Sequence, residues 1–297
     1  MIALSTHLTA VPIAARLAPV VPRLDLPWLD NRFPYVAVGN HNQDLDYLDD
    51  EDFLQPFLTI VHSGFNRENV TDDLALMVFK EDLVDKNGLS GTVTLPEEEG
   101  DEVADGVNGT TFGWGVFKEG EFSPSPQLYG VDTTIYSIET CRNQSLYEEG
   151  SLREGMYCAG GNLQANQTGV DACNGDSGGP NINYDASTDI ESPLQVGVVS
   201  WGVGCGREGY PGVYVELAKY VGWIAEQMDY VEDLKMSLPC FKSSENNIEA
   251  NTGSESQENA LKEAAPGPEP ARESRRRLSA VQSHQHVLYV SDACSTR

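Results

Sequence analysis

The chain has 297 residues and a formal net charge of −27, from 46 Asp and Glu against 19 Lys and Arg. A body this acidic repels phosphates, which excludes a nucleic acid as the expected partner. No run of 18 apolar residues occurs, so the sequence predicts no membrane-spanning helix. The hydrophobic content of 40% is ordinary for a globular protein, and the length allows one large domain or two small ones.

The first 34 residues form a divergent start that allows two interpretations. One is a signal peptide, although the segment lacks a basic leading region and contains His7. The other is a strand over residues 1–10 that ends at Ala10. Both interpretations stay open on the residues alone.

Residues 35–111 show the alternation of short β-strands. Residues 35–39 alternate like a strand, and residues 57–62 form a second predicted strand. Between them lies an acidic loop that begins at Asn40 and ends at Asp52. Carboxylates suit calcium, but we favour a solvated acidic loop and predict no cofactor. Asp73 follows in the run TDDLAL, residues 71–76.

Residues 112–235 continue the same pattern. Residues 133–138 and 195–199 alternate like strands, with Gly, Pro and Asn turns between the strands, and residues 217–231 predict a closing amphipathic helix. No βαβ period or heptad appears, so we predict an all-β fold. Residues 236–297 are rich in Ser, Glu, Asn, Gln and Pro and predict a disordered tail.

The run DACNGDSGGP, residues 171–180, carries the clearest chemical signal in the chain. Ser177 lies between glycines and acidic residues on a predicted tight loop, which exposes its hydroxyl beside backbone N–H groups. Attack on a carbonyl needs such a nucleophile and such a cradle for the oxyanion. The glycines permit backbone angles that are closed to other residues.

This run closely resembles the active-serine loop of the trypsin-like serine proteases, and further matches cover roughly residues 35–235. The resemblance implies two packed antiparallel β-barrels with the site in the cleft between them, the first barrel being incomplete in this chain. It assigns Ser177 as the nucleophile, Asp73 as the carboxylate that orients the catalytic histidine, and the N–H groups of Gly175 and Ser177 as the oxyanion donors. Asp73 precedes Ser177 by about 100 residues, a separation typical of the family.

The resemblance also implies a pocket that accepts Lys or Arg side chains. Asp171 lies at its base, where a carboxylate favours a cationic side chain. The remaining residues that the resemblance assigns to this pocket are Ala172, Ser200, Trp201, Gly202 and Gly212. The expected substrates are therefore proteins or peptides with Lys or Arg, cleaved by a monomer.

Six cysteines and four Asn-X-Ser/Thr sequons favour a secreted, extracellular glycoprotein over an intracellular structural β-protein. The sequons begin at Asn69, Asn108, Asn143 and Asn166. The resemblance pairs Cys141 with Cys158 and Cys173 with Cys205. Cys240 and Cys294 are left as a pair only by elimination.

The family's Ala-His-Cys segment does not occur as written. A two-base slip after Ala10 would restore it, because Pro12-Ile13-Ala14 spelled CCC-ATT-GCN contains CAT-TGC, which encodes His-Cys. We therefore predict a misread exon junction or frameshift between Ala10 and Tyr35. The cleaved N-terminus that pairs with the aspartate matching Asp176 in the family is likewise not recognised.

Two functions follow from these residues. The first is a trypsin-like serine endopeptidase that cleaves after Lys or Arg, with the chain as written expected to be inactive. The second is a catalytically dead protease homologue that binds another protein as an inhibitor or decoy. The retained Ser177 and Asp171 favour the first, because a decoy needs neither.

Overall fold

The computed structural model describes residues 2–4, 10–12, 36–39, 41–43, 53–79, 83, 92–97, 103–161, 163, 169–184, 193–237 and 288–290. Six strands of its second half close into an antiparallel barrel. Going round the barrel, the order is β10, β11, β12, β9, β8 and β7. Their bounds are β7 Asn108–Gly113, β8 Tyr129–Tyr136, β9 Met156–Gly160, β10 Pro180–Asn183, β11 Leu194–Trp201 and β12 Gly212–Glu216.

The barrel closes around a core of large side chains. Ile135, Tyr157 and Tyr214 are fully buried, and the two tyrosine rings stack with centroids 5.3 Å apart. Their hydroxyls are satisfied inside the barrel, since Tyr157 Oη donates to Asn181 Oδ1 at 3.1 Å and Tyr214 Oη bonds Thr111 Oγ1 at 3.0 Å. Buried polar groups need such partners. These two hydrogen bonds also link β9 to β10 and β7 to β12.

The first half contains a five-stranded sheet and a two-stranded hairpin. The sheet order is β13, β5, β6, β1 and β2, and β3 pairs with β4. Their bounds are β1 Ile2–Leu4, β2 Ala10–Pro12, β3 Val36–Ala37, β4 Phe53–Leu54, β5 Leu58–Val61, β6 Ala75–Val78 and β13 Leu288–Val290. The described strands of this half form no closed barrel, and the incomplete first barrel stays a prediction. One pairing, β1 with β6, is parallel, which the long connection between these strands permits.

Two helical regions differ from the prediction in their limits. Strand β8 ends at Tyr136, not at residue 138, because Ser137 caps helix α1, Ile138–Gln144. The Ser137 hydroxyl accepts the Thr140 N–H at 3.2 Å, which satisfies a donor of the first turn. The predicted closing helix instead begins with a 3₁₀ turn, Leu217–Lys219, and α2 spans Val221–Ser237.

Both disulfides that the resemblance pairs are present in the structure. Cys141–Cys158 joins α1 to β9, and Cys173–Cys205 joins the segment of residues 171–180, here called the serine loop, to the segment between β11 and β12. The second bridge therefore links the serine loop to its neighbour. Cys240 and Cys294 lie outside the described residues.

The chain divides into a unit of residues 1–229 with 286–297 and a unit of residues 230–285. Of the second unit, the structure describes the end of α2. In the predicted tail, Leu288–Val290 pairs with β5 as strand β13, and the rest beyond Ser237 lies outside the described residues. None of the helices in the described ranges combines the length and apolarity needed to cross a membrane.

Candidate active site

The serine loop is held against β11 by two backbone hydrogen bonds. The Gly178 N–H donates to the Val199 carbonyl at 2.9 Å, and the Val199 N–H donates to the Gly179 carbonyl at 2.9 Å. A Cβ at Gly179 would lie 2.5 Å from the carbonyl oxygen of Phe112, so only glycine permits this close approach. The loop leaves the side chain of Ser177 exposed.

The two N–H groups predicted to bind an oxyanion are those of Gly175 and Ser177. Gly175 has a φ of +103°, which glycine adopts readily and other residues do not. Within the described part of the chain, neither N–H has a protein acceptor. The assignment of these two N–H groups as oxyanion donors stays a prediction.

Asp176 ties the serine loop to the segment after β7. Its Oδ1 accepts the Gly115 N–H at 2.7 Å, and its Oδ2 accepts the Cys173 N–H at 2.8 Å. Burial raises the pKa of Asp176, and these two hydrogen bonds oppose that rise. A Cβ on Gly113 or Gly115 would overlap the Asp176 carboxylate, so both positions need glycine.

Asp73 lies just before β6, where the backbone is tightly turned. The preceding residue, Asp72, has a φ of +51°, which is uncommon for a residue with a side chain. The Asp73 Oδ2 accepts a hydrogen bond from Ser200 Oγ at 2.6 Å. Ser200 lies on β11, so this contact joins the barrel to the sheet of the first half.

Asp73 and Ser177 line the same cavity, whose volume is about 230 Å³. Ser200 lines it as well, and Val61 and Phe65 supply apolar wall. The structure thus brings together the two predicted catalytic residues, although 104 positions separate them in sequence. An exposed hydroxyl, a carboxylate and the cavity that both line are the arrangement in which a base can be held between nucleophile and acid.

Asp171, the first residue of the serine loop, is held by two backbone donors from the segment between β11 and β12 and from the start of β12. Its Oδ2 accepts the Gly206 N–H at 2.9 Å, and its Oδ1 accepts the Gly212 N–H at 3.1 Å. Burial raises the pKa of Asp171 to about 6, the negative charge of Asp176 adds to the rise, and the N–H donors oppose it. The carboxylate is therefore a desolvated charge without full compensation, which suits recognition of a cation.

Asp171 lines a second cavity, of about 470 Å³, together with Asp176, Cys173 and Cys205. This is a different cavity from the one that Asp73 and Ser177 share. The serine loop lines both cavities, since Asp171 and Asp176 line the larger one and Ser177 lines the smaller one.

The remaining predicted pocket residues lie around Asp171 and on β11. A Cβ on Gly212 would lie 2.6 Å from Asp171 Oδ1, and one on Gly202 would lie 3.8 Å from the Gly212 Cα. Glycine at position 212 thus permits the close approach of its backbone to the Asp171 carboxylate, and neither glycine is among the residues that line the Asp171 cavity. Ala172 is partly buried against the barrel core. The Trp201 ring packs beside the ring of Tyr147.

The described histidines, His41 and His62, do not line the Asp73–Ser177 cavity. The Nδ1 of His62 accepts the Gly64 N–H at 3.2 Å and lies 3.9 Å from Asp72 Oδ1. The His62 ring also packs edge-on against Trp223, with centroids 4.7 Å apart. These contacts fix His62 in a structural position.

Tyr147 is a residue of the pocket region that sequence reasoning missed. Its hydroxyl donates to the Pro211 carbonyl at 2.7 Å, and its ring meets those of Trp201 and Tyr210 edge-on at 5.1 and 5.3 Å. Burial raises the pKa of Tyr147, and the charge of Asp171 contributes to the rise. It lies in a loop without periodicity, where no motif marks it.

The structure gives no support for a metal site within the described ranges, where no cluster of three or more His, Cys, Asp or Glu has a suitable arrangement. Most of the acidic loop from Asn40 to Asp52 lies outside those ranges. The calcium interpretation of that loop therefore stays a hypothesis.

Comparison with known proteins places this geometry in a family. The Trypsin family model matches residues 35–224, more than half of the chain. Trypsin eta of Drosophila melanogaster is 39% identical over 169 residues, covering 57% of this chain and 58% of that protein. Trypsin-1 of Astacus astacus is 35% identical over 165 residues, covering 56% of this chain and 63% of that protein.

The tissue-type plasminogen activator of Rattus norvegicus is 30% identical over 173 residues, covering 57% of this chain and 30% of that protein. The chain thus spans less than two thirds of the length of these relatives. The family match, the closed six-stranded barrel and the serine loop agree with one another. The chain belongs to the trypsin family of serine endopeptidases.

Proposed function

We propose that this chain carries the site of a serine endopeptidase that cleaves after Lys or Arg through an acyl-enzyme. The observation that supports it best is the cavity of about 230 Å³ lined by both Asp73 and Ser177. A nucleophile and an orienting carboxylate are useful to a hydrolase in this relationship and have no evident use in a binding protein.

In the proposed reaction, the Ser177 hydroxyl attacks the scissile carbonyl and its proton passes to a base held by Asp73. The developing oxyanion accepts hydrogen bonds from the N–H groups of Gly175 and Ser177. One such donor contributes on the order of 3 kcal/mol to transition-state stabilisation. The amine leaves with the proton from the base, and water then attacks the acyl-enzyme by the same route.

The proposed preference for Lys or Arg rests on Asp171. Its carboxylate is desolvated and lines a cavity of about 470 Å³ that has room for a side chain. A cationic side chain gains an ion pair there, whereas a neutral one leaves the carboxylate unpaired.

We further propose that the chain as written turns over slowly because its base is misread. Strand β2 places residue 12 opposite Ile2, and Ile2 pairs with Leu76, three residues after Asp73. The two-base slip puts histidine at position 12. The strand order therefore supports a restored histidine in the same sheet as the strand that follows Asp73. Turnover falls by on the order of 10⁶ when such a base is missing.

The alternative, a catalytically dead homologue acting as an inhibitor or decoy, draws on one observation, that neither described histidine lines the cavity.

We also propose secretion as a monomeric glycoprotein. Two disulfides in the barrel and three exposed sequon asparagines in the described ranges, Asn69, Asn108 and Asn143, support this localisation.

The test compares the chain as written with a frame-repaired chain that is expressed with its upstream part and processed. Hydrolysis of an arginine ester is measured against that of the matching leucine ester. Repaired chain that prefers arginine, and loses activity as S177A but not as S151A, supports the proposal. Inactivity of the repaired chain would favour the decoy function.

A further inference from the structure

Two loops beside the Asp171 pocket are joined by an ion pair between Glu119 and Arg207. The Arg207 Nε donates to Glu119 Oε2 at 2.8 Å, and its Nη2 donates to Glu119 Oε1. The Cys205 N–H also donates to Glu119 Oε2, at 3.4 Å. The Glu119 carboxylate thus forms a bidentate ion pair with the Arg207 guanidinium, a geometry that fixes both side chains. The same carboxylate also bonds the backbone amide of Cys205, in the loop that carries Arg207.

The segment of residues 205–207, which bonds Glu119, also contacts Asp171. Gly206, between Cys205 and Arg207, donates its N–H to Asp171 Oδ2 at 2.9 Å. The Gly206 carbonyl accepts the Gly169 N–H at 3.2 Å. Glu119 and Asp171 therefore accept hydrogen bonds from neighbouring N–H groups of one short backbone segment, and both line the cavity of about 470 Å³.

This segment has little conformational preference of its own. Gly204 and Gly206 both adopt positive φ angles, +74° and +63°, and glycine has the largest conformational freedom of any residue. The disulfide from Cys173 fixes the segment at Cys205. Beyond that bridge, the hydrogen bonds that Glu119 accepts from Cys205 and Arg207 supply a restraint on the direction of the Gly206 N–H.

We propose that Glu119 is a positioning residue for cation recognition, which acts by holding residues 205–207 so that the Gly206 N–H stays on Asp171. This inference rests on the proposed function of the Asp171 pocket and names a residue that tunes it. Glu119 lines the same cavity as Asp171, but its proposed role is not a direct contact with the substrate side chain. It acts through the backbone of the segment.

The charged and titratable groups around Asp171 make its ionisation sensitive to that N–H. The negative charge of Asp176 disfavours the ionised form of Asp171. Burial raises the pKa values of the neighbouring Tyr147 and Tyr214, so these two side chains stay neutral. Donors such as Gly206 are the groups that favour the charged form. If this N–H turns away, the pKa of Asp171 rises above about 6 and cation binding moves to higher pH.

The ion pair is exposed, with 52% of the Arg207 side chain and 37% of the Glu119 side chain accessible. Exposed pairs contribute little to global stability. An effect of Glu119 should therefore be seen in cation binding and its pH dependence, and not in the unfolding temperature. This separates positioning from a merely structural role.

The chain offers a matched control, the exposed pair between Arg142 Nη1 and Glu154 Oε1 at 2.8 Å. The experiment measures the affinity of the full chain for p-aminobenzamidine, by its fluorescence, from pH 5 to pH 8 in the parent, E119Q, E154Q and D171N. This probe carries a fixed cation and needs no working catalytic base. We expect E119Q to bind about two- to fivefold more weakly at pH 7, with its midpoint moved to higher pH, and E154Q to match the parent.

Unchanged affinity and midpoint in E119Q, with binding lost in D171N, would overturn the role of Glu119 and leave the pocket proposal intact. A parent chain that does not bind the probe, or D171N that binds as well as the parent, would overturn the pocket proposal itself. R207Q provides the second variant, because it removes the same pair from the other side. Equal losses in E119Q and R207Q are expected.

Discussion

Ser200 Oγ donates a hydrogen bond of 2.6 Å to Asp73 Oδ2 across 127 positions of sequence. The contact joins β11 of the barrel to a residue that lies two positions before β6 of the first sheet. It fixes the Asp73 carboxylate on the wall of the cavity that Ser177 also lines. The position of the proposed acid therefore depends on both halves of the chain.

Removal of this donor should destabilise the fold. In S200A the partly buried Asp73 carboxylate loses a hydrogen bond to a charged group, which is worth about 1.5–3 kcal/mol of unfolding free energy. Urea denaturation measures the change. T110V is the matched control, because Thr110 Oγ1 donates to the Asp132 carboxylate at 2.8 Å in an exposed setting. Equal losses in the two variants would contradict the buried role of Ser200.

The raised pKa of Asp171 predicts a pH-dependent cost. The ordinary value of 3.8 rises to about 6 in the folded chain, so the folded state holds its proton more tightly than the unfolded state. Stability from this group is fully present below pH 3.8 and is lost as the pH rises through about 6. The unfolding free energy of the parent relative to D171N should fall by on the order of 2–3 kcal/mol across that interval.

Urea unfolding from pH 3.5 to pH 7.5 tests this expectation. D132N removes a surface carboxylate and corrects for the change in net charge. A difference between parent and D171N that stays constant over the whole range would show that Asp171 titrates alike in the folded and unfolded chains.

Close packing around Asp176 predicts a strong effect of one methyl group. In G115A the new Cβ would overlap the Asp176 carboxylate, which displaces the loop that carries Ser177. We expect about 1–3 kcal/mol of destabilisation from overpacking, together with a lower kcat in the frame-repaired enzyme. G120A is the control, since nothing lies within 4 Å of a Cβ there and the φ of +86° alone carries a cost. A kcat in G115A equal to that of G120A would argue against the Asp176 contact as a determinant of the serine loop.

The three exposed sequon asparagines predict glycans. Asn69 lies in a turn, Asn108 begins β7 and Asn143 lies on α1. After expression in a secreting eukaryotic cell, peptide-N-glycosidase treatment should lower the mass, and N69Q, N108Q and N143Q should each remove one glycan. A secreted chain with the unmodified mass would contradict the proposal.

Several parts of the site could be predicted because their chemistry is local. The serine loop needs Gly175, Gly179 and Ser177 in a fixed order, since backbone angle and close approach depend on those residue types. The family resemblance then predicted the two disulfide pairs, which the structure contains. It also assigned roles to Asp73 and Asp171, and these roles stay predictions. The trypsin-like fold class is confirmed by the family match and the closed barrel.

Other features could not be predicted because they join loops without periodicity. Tyr147 meets Pro211 across 64 positions, Glu119 meets Arg207 across 88, and Tyr220 donates to Asp72 across 148. No local pattern marks either partner of these pairs. The start of α1 was missed for a different reason, because the alternation before Ser137 continues into the helix and hides its cap.

The most direct test of the central claim is covalent labelling by a fluorophosphonate, which reacts with an activated serine hydroxyl. The frame-repaired and literal chains are treated side by side, and the modified residue is identified by peptide mass spectrometry. The account predicts a label on Ser177 in the repaired chain, its loss in a D73A variant, and little label in the literal chain. A repaired chain that stays unlabelled, or one labelled at another serine, would contradict it.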